Sequence, residues 1–150
     1  MTTVESLPNG MESLALYVEI LQFYGRHMRA MDECRVADWT HDFTEDAVSR
    51  TNARPGPHVG RAEIEAGAEA AARKLLADGV LRRHCLSTLH VEEAPDGTVV
   101  ARSYAQLVTT PKGGASELEL FCTCVDTFVR EGGRLLIKHR QVHRDDLPKD

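Results

Sequence analysis

The sequence predicts an α+β domain in which three N-terminal helices pack on one face of a curved, mostly antiparallel sheet. Three observations predict it. Apolar residues recur at helical spacing through the first half of the 150-residue chain. The period switches to two after Gly79. The later segments are joined by connections short enough to demand antiparallel neighbours.

Residues 1–10 read as a flexible leader without an apolar period, 11–146 as one domain and 147–150 as a polar tail. Leu14, Tyr17, Val18, Leu21, Tyr24, Met28 and Met31 mark a long amphipathic helix over about 11–31. Val36, Trp39 and Phe43, three and four apart, suggest a second, shorter helix, stopped by Thr44-Glu45-Asp46. A short strand at 47–51 and a loop carrying Pro55, Gly56, Pro57 and Gly60 follow. Ile64, Ala68, Ala71, Leu75 and Leu76 make the stripe of a third helix over 61–78, with Gly79 placed to cap it. Strands are expected at 80–93, 98–110, 118–130 and 134–143, the last pair joined by the tight turn Glu131-Gly132-Gly133. A twisted sheet covered by helices on one side curls into a cone whose interior suits a small-molecule pocket.

At 42% apolar and 27% charged residues the composition is that of an ordinary globule. A chain this long buries about 68–70% of its unfolded surface, so it needs neither disulfide nor metal to fold. A formal charge of −5, with no basic run interleaved with aromatics, argues against a nucleic-acid partner. No apolar run approaches the ~18 residues of a membrane span, and no charged segment followed by an apolar core starts the chain. A cytoplasmic protein is expected, with Cys34, Cys85, Cys122 and Cys124 reduced. Cys122 and Cys124 lie two apart on a strand, which is not a zinc knuckle, and read as small buried hydrophobes.

On the strand at 118–130, Leu118, Leu120, Cys122, Cys124, Asp126 and Phe128 alternate onto one face. Asp126 is the only charge in that row, so it is either a structural acid tied to an arginine or histidine, or a pocket acid that tunes a catalytic group. The opposite face, Phe121, Thr123, Val125, Thr127 and Val129, is half apolar and suits a partner sheet better than water, which predicts a homodimer. Arg102, Tyr104 and Gln106 share one side of their strand, opposite Ala101, Ser103 and Ala105. Leu135, Ile137 and His139 share one side of the last strand, and a bulge there decides where Arg140 and His143 point. His27 is assigned to the polar side of its helix, and His41, His58 and His90 to solvent. His84, His139 and His143 lack an acid–His signature, so no metal is expected.

Several strings resemble the NTF2-like superfamily, and within it the SnoaL-like group. They are Ala37-Asp38-Trp39, Phe43-Thr44-Glu45-Asp46-Ala47-Val48, Gly60-Arg61-Ala62-Glu63-Ile64 and Arg83-His84. Ala101-Arg102-Ser103-Tyr104, Asp126-Thr127-Phe128-Val129-Arg130 and Arg140-Gln141-Val142-His143-Arg144-Asp145 complete the set. The resemblance implies a cone-shaped fold, usually dimeric, with one deep pocket per subunit. It spans polyketide cyclases, dehydratases, ketosteroid isomerases, epoxide hydrolases, dioxygenase small subunits and transport adaptors. The isomerase base is missing, because Ser49-Arg50-Thr51-Asn52 holds no acid, and Arg102 lacks the flanking acids of the hydrolases. A strand histidine of scytalone dehydratase matches His84, but that enzyme's Tyr-Asp pair falls on Cys34-Arg35.

The resemblance therefore implies an acid–base enzyme, without cofactor, that cyclises, dehydrates or isomerises an apolar oxygenated small molecule. His84 is expected to shuttle the proton and Asp126 to orient it. Tyr104, His139 and His143 are expected to bind substrate oxygens, with Tyr24 and Trp39 lining the pocket and Trp39 closing its mouth. Core packing is the alternative for Tyr104, Trp39 and His84. The rival reading is a non-catalytic ligand-binding protein or a small subunit of a ring-hydroxylating oxygenase.

Overall fold

The computed structural model describes residues 2–149, with side chains from Gly10 onward. The order is α1 (Thr2–Asp32), α2 (Val36–Thr40), β1 (Phe43–Thr51), β2 (His58–Val59), α3 (Arg61–Asp78), β3 (Val80–Glu93), β4 (Val99–Pro111), β5 (Glu117–Glu131) and β6 (Arg134–Arg144). The strands form one six-stranded sheet in the order β2-β1-β6-β5-β4-β3, antiparallel except for the β1–β6 pair. The chain is therefore the expected α+β cone, with helices over one face of a curved sheet. Among the described residues no helix is long and apolar enough to cross a membrane.

Three sequence expectations shift. Phe43 opens β1 instead of ending the second helix, and its fully buried ring packs on Trp39. Helix α1 starts at Thr2, within the stretch expected as a leader. A helix grows by one hydrogen bond per residue once nucleated, so its early turns need no apolar stripe of their own; Met11 and Leu14 lie exposed. Further along α1, the buried stripe is Ile20, Phe23, Tyr24, His27 and Ala30, whereas Tyr17, Val18 and Leu21 remain exposed. His27 is thus wholly buried, between Phe23 and the indole of Trp39, and not on a polar face.

Bulges shape the sheet. On β3, Thr88 and Leu89 together stand opposite Ser103, with Thr88 at a φ of 52°. That left-handed backbone is costly for a β-branched residue, and it bends the strand over the helices. On β6, Lys138 is the extra residue between the pairs Thr127↔His139 and Phe128↔Ile137. This second bulge settles the orientation that alternation left open. Ile137 and Arg140 both point inward and are buried, while His139 is exposed.

Candidate functional site

Strand register assembles the concave face row by row. One row runs Ala101–Asp126–Arg140, and the next Ser103–Cys124–Val142. Then come Leu86–Ala105–Cys122–Arg144 and His84–Leu107–Leu120. The convex face has its own rows, Tyr104–Thr123–His143 and Val100–Thr127–His139. Tyr104 and His143 therefore flank Thr123 on the outside of the cone, and His139 lies outside with them. The three were expected to bind substrate oxygens; the pleat and the Lys138 bulge turn all three away from the hollow.

The hollow is open and has two lobes. An outer lobe of about 360 Å³ lies between α1 and β3, where Leu21, Tyr24, Met28 and Leu89 contribute to its walls. An inner lobe of about 240 Å³ is roofed by Trp39 and Met31 and floored by Leu107, Leu120 and Cys122. Met28, His84 and Leu86 line both, which puts His84 at the neck.

His84 is held there by Asp32. Its Nδ1 lies 2.7 Å from Asp32 Oδ1, and its backbone N–H donates to both carboxylate oxygens at 3.1 Å. Strand β3 is the sheet edge, so this N–H has no ladder partner and is free to take the acid. Asp32 ends α1 in a Schellman turn, with Cys34 N–H on Met31 O, Arg35 N–H on Ala30 O, and Cys34 at φ 57°. An acid in the last helical turn opposes the helix dipole, and a left-handed cysteine is strained. Both local costs serve to aim Asp32 at His84. A carboxylate can only accept, so Nδ1 of a neutral His84 carries the proton and Nε2 is left as the basic nitrogen. At 21% side-chain exposure the ring stays within reach of a ligand.

Asp126 does not orient His84. Its carboxylate is fully buried and takes Arg140 Nε and Nη2, each at 2.8 Å, plus the Tyr24 hydroxyl at 2.8 Å and a longer contact from Cys124 Sγ at 3.6 Å. Burial by itself would raise its pKa, but the charge and hydrogen bonds of Arg140 outweigh burial and hold the carboxyl below its usual range. Burial lifts the Tyr24 hydroxyl well above its ordinary value and likewise raises the Cys124 thiol, so both are uncharged donors. Of the two readings open for Asp126, the structural acid tied to an arginine is the one observed.

Arg140 is a group the sequence reading left unassigned. Its guanidinium carbon sits 5.1 Å from the Phe43 ring centre and 6.0 Å from that of Trp39. Nε and Nη2 are used on Asp126, while Nη1 makes no hydrogen bond among the described residues, and Arg140 lines the inner lobe. The mostly apolar chamber thus contains a buried, rigidly held cationic donor, while the second arginine in its lining, Arg144, is paired with Asp146. Trp39 lines the inner lobe and Tyr24 the outer. Cys122 and Cys124 are free, buried thiols in the lining of the inner lobe. Among the described residues no three His, Cys, Asp or Glu side chains cluster as metal ligands would.

A second histidine–carboxylate pair lies deeper: His27 Nδ1 is 2.9 Å from Asp42 Oδ2, and Asp42 also accepts from Arg134 at 2.8 Å. Burial pulls the His27 pKa down to about 4, against the opposing pull of Asp42. It stacks inside the aromatic core, on Phe23 and Trp39.

A sequence model of the SnoaL-like domain matches residues 12–141. No curated protein matches the chain. Among solved structures, Aln2 from a Streptomyces species is 40% identical, with a TM-score of 0.81 over 88% of this chain and 92% of that one. ActVI-ORFA from Streptomyces coelicolor is 33% identical, with a TM-score of 0.83 over 91% and 99%. A protein from Catenulispora acidiphila, solved in complex with S-DNPA, is 33% identical, with a TM-score of 0.79 over 89% and 96%.

Proposed function

The chain belongs to the SnoaL-like family, and on that premise we propose that it is an acid–base enzyme acting on an apolar, oxygenated small molecule of polyketide type. The observation that carries this reading is the His84–Asp32 pair at the neck of a two-lobed cavity. Support also comes from a 33%-identical relative that was solved in complex with S-DNPA.

In this reading the substrate's rings occupy the inner lobe against Trp39 and Leu107. An oxygen of the substrate accepts a hydrogen bond from Arg140 Nη1. That cation stabilises negative charge on the oxygen as a proton leaves the neighbouring carbon or hydroxyl, and the dry lobe strengthens the effect. His84 Nε2 takes the proton, Asp32 stabilises the imidazolium that forms, and the same nitrogen returns the proton to a second atom or to a leaving hydroxyl. Cyclisation, dehydration and isomerisation all need this give and take. Confining a flexible chain in one reactive shape contributes further, with effective molarities of roughly 10⁵–10⁸ M in favourable systems.

Native mass spectrometry of the protein from its own source tests the first half by giving the mass of any retained molecule. Turnover of that molecule by the wild type, and its loss in His84→Gln with melting unchanged, tests the second. A variant as active as the wild type removes His84 from the mechanism.

A further inference from the structure

Helix α1 carries two apolar rows, and the core uses only one of them. Ile20, Phe23, Tyr24, His27 and Ala30 face the sheet and are buried. Met11, Leu14, Val18, Leu21 and Met28 form a second row, displaced around the helix and stepped by three and four residues with Gly25 in its course. Its first four apolar side chains are between 46% and 67% exposed. The inner end of this row is a wall of the outer lobe: Leu21, Gly25 and Met28 line it from α1. Leu86 and Leu89, which the bulge at Thr88 brings onto one face of β3, line it from the other side.

A glycine inside a helix is destabilising relative to alanine unless close packing requires it. Gly67 of α3 has such a requirement, because a Cβ there would collide with the His58 ring. Gly25 has none within the chain: a Cβ there would meet nothing within 4 Å. Gly10 also meets nothing, but it is not among the residues that line the lobe. What Gly25 leaves is a notch between Leu21 and Met28, open to the lobe. We propose that Gly25 determines the shape of substrate the cavity accepts. Its notch admits an unbranched apolar chain, which leaves the ring system at the neck beside His84 and runs out between α1 and β3 along the second row. The substrate class is then an oxygenated ring system bearing a linear apolar chain. This rests on the reading of the cavity as the substrate site, and adds to it the residue that selects for the chain.

Trp39 is the chain's single tryptophan and lines the inner lobe, so its emission reports occupancy of the hollow. Titration of the full chain with propiophenone, hexanophenone and octanophenone tests the proposal, since these share one ring and one acceptor oxygen and differ in chain length. Each added methylene is expected to tighten binding about two- to fourfold, the upper figure corresponding to ~0.8 kcal/mol per buried CH₂. Gly25→Leu is expected to leave propiophenone's affinity where it was and to abolish the gain with length. Gly25→Ala is expected to raise melting, because alanine is the better helix former, and to reduce the gain in part. A wild type whose affinity does not grow with chain length overturns the assignment of the outer lobe to a chain and leaves the acid–base reading standing. A gain that survives Gly25→Leu undiminished overturns the role of Gly25. Loss of propiophenone binding in Gly25→Leu with melting intact overturns the confinement of its effect to the outer lobe. A second copy of the chain seated on this row would make Gly25→Leu shift the sedimentation of the ligand-free protein, and that result overturns the proposal as well. If none of the ketones changes Trp39 emission, the chain notch and the cavity's assignment as the substrate site fall together.

Discussion

Asp32 and His84, 52 residues apart in sequence, are joined through three contacts: one to the ring and two to the backbone N–H of the same residue. The backbone contacts hold the carboxylate even if the ring is removed, so the two halves of the pair can be separated by mutation. His84→Gln is expected to lower turnover by about 10²–10⁴-fold, the usual contribution of a positioned acid–base group. Asp32→Asn is expected to cost less in turnover and to lower melting, since an amide accepts these donors more weakly. Turnover and thermal melting on both variants check this; an Asp32→Asn variant that melts and turns over like the wild type removes the pair.

The Arg140–Asp126 pair governs stability. Asp126→Asn leaves a buried guanidinium without its counter-charge and is expected to cost about 3–5 kcal/mol, read as a lower urea midpoint. The sign of the acid dependence follows from a carboxyl held low by Arg140 against the opposing effect of burial. An unfolded aspartate titrates near about 3.9. The pair's contribution is therefore complete above that pH and is lost as pH falls through the lower folded value. Asp126→Asn should flatten stability in this window, and an unchanged urea midpoint there would count against the assignment.

His27 acts in a higher window. Its folded pKa is pulled down to about 4 by burial, against about 6.5 in the unfolded chain. The unfolded state binds the proton first, so stability is complete above about pH 6.5 and declines toward pH 4, by roughly 3 kcal/mol in all. Substituting His27→Phe keeps an aromatic ring between Phe23 and Trp39 and leaves Asp42 paired with Arg134. Urea unfolding at pH 7 and 4.5 should show a smaller difference for this variant than for the wild type. An equal difference would locate the titration elsewhere.

For the convex face we propose a homodimer with a second copy of this chain. Tyr104, Thr123 and His143 form one row there and Gln106 and Phe121 the next, with the Tyr104 and Phe121 rings 5.8 Å apart and both partly exposed. These two rows carry no lysine or carboxylate on β4 and β5, so a two-fold contact meets no like charges at its centre. Sedimentation is expected to show a dimer at micromolar concentration and Phe121→Lys to shift it toward monomer. A wild type that sediments as monomer at that concentration ends the proposal.

The helices and strands were legible because their periods are local. The alternation that placed Ala101, Ser103 and Ala105 opposite Tyr104, and Cys122 beside Asp126, holds in the structure. What failed to read through on the last strand depended on an inserted residue. Lys138 breaks the alternation between Ile137 and His139, and nothing in Ile137-Lys138-His139-Arg140 marks a bulge in advance. The dehydratase resemblance puts an acid at Arg35, three residues past the one that lies against His84. Asp32 had a signal of its own, an acid where a helix end prefers a base, although that reads as a functional cost only once its partner is known.

The sequence by itself determined the class of fold, the order of its main elements and the family, since these follow from periodicity and local strings within a few residues of one another. Only the tertiary structure decided that Asp32 meets His84 while Asp126 meets Arg140, and that Arg140 faces inward and His139 outward. Those pairings join residues tens of positions apart through strand register and bulges, and one inserted residue is enough to turn a side chain from the hollow to the outside.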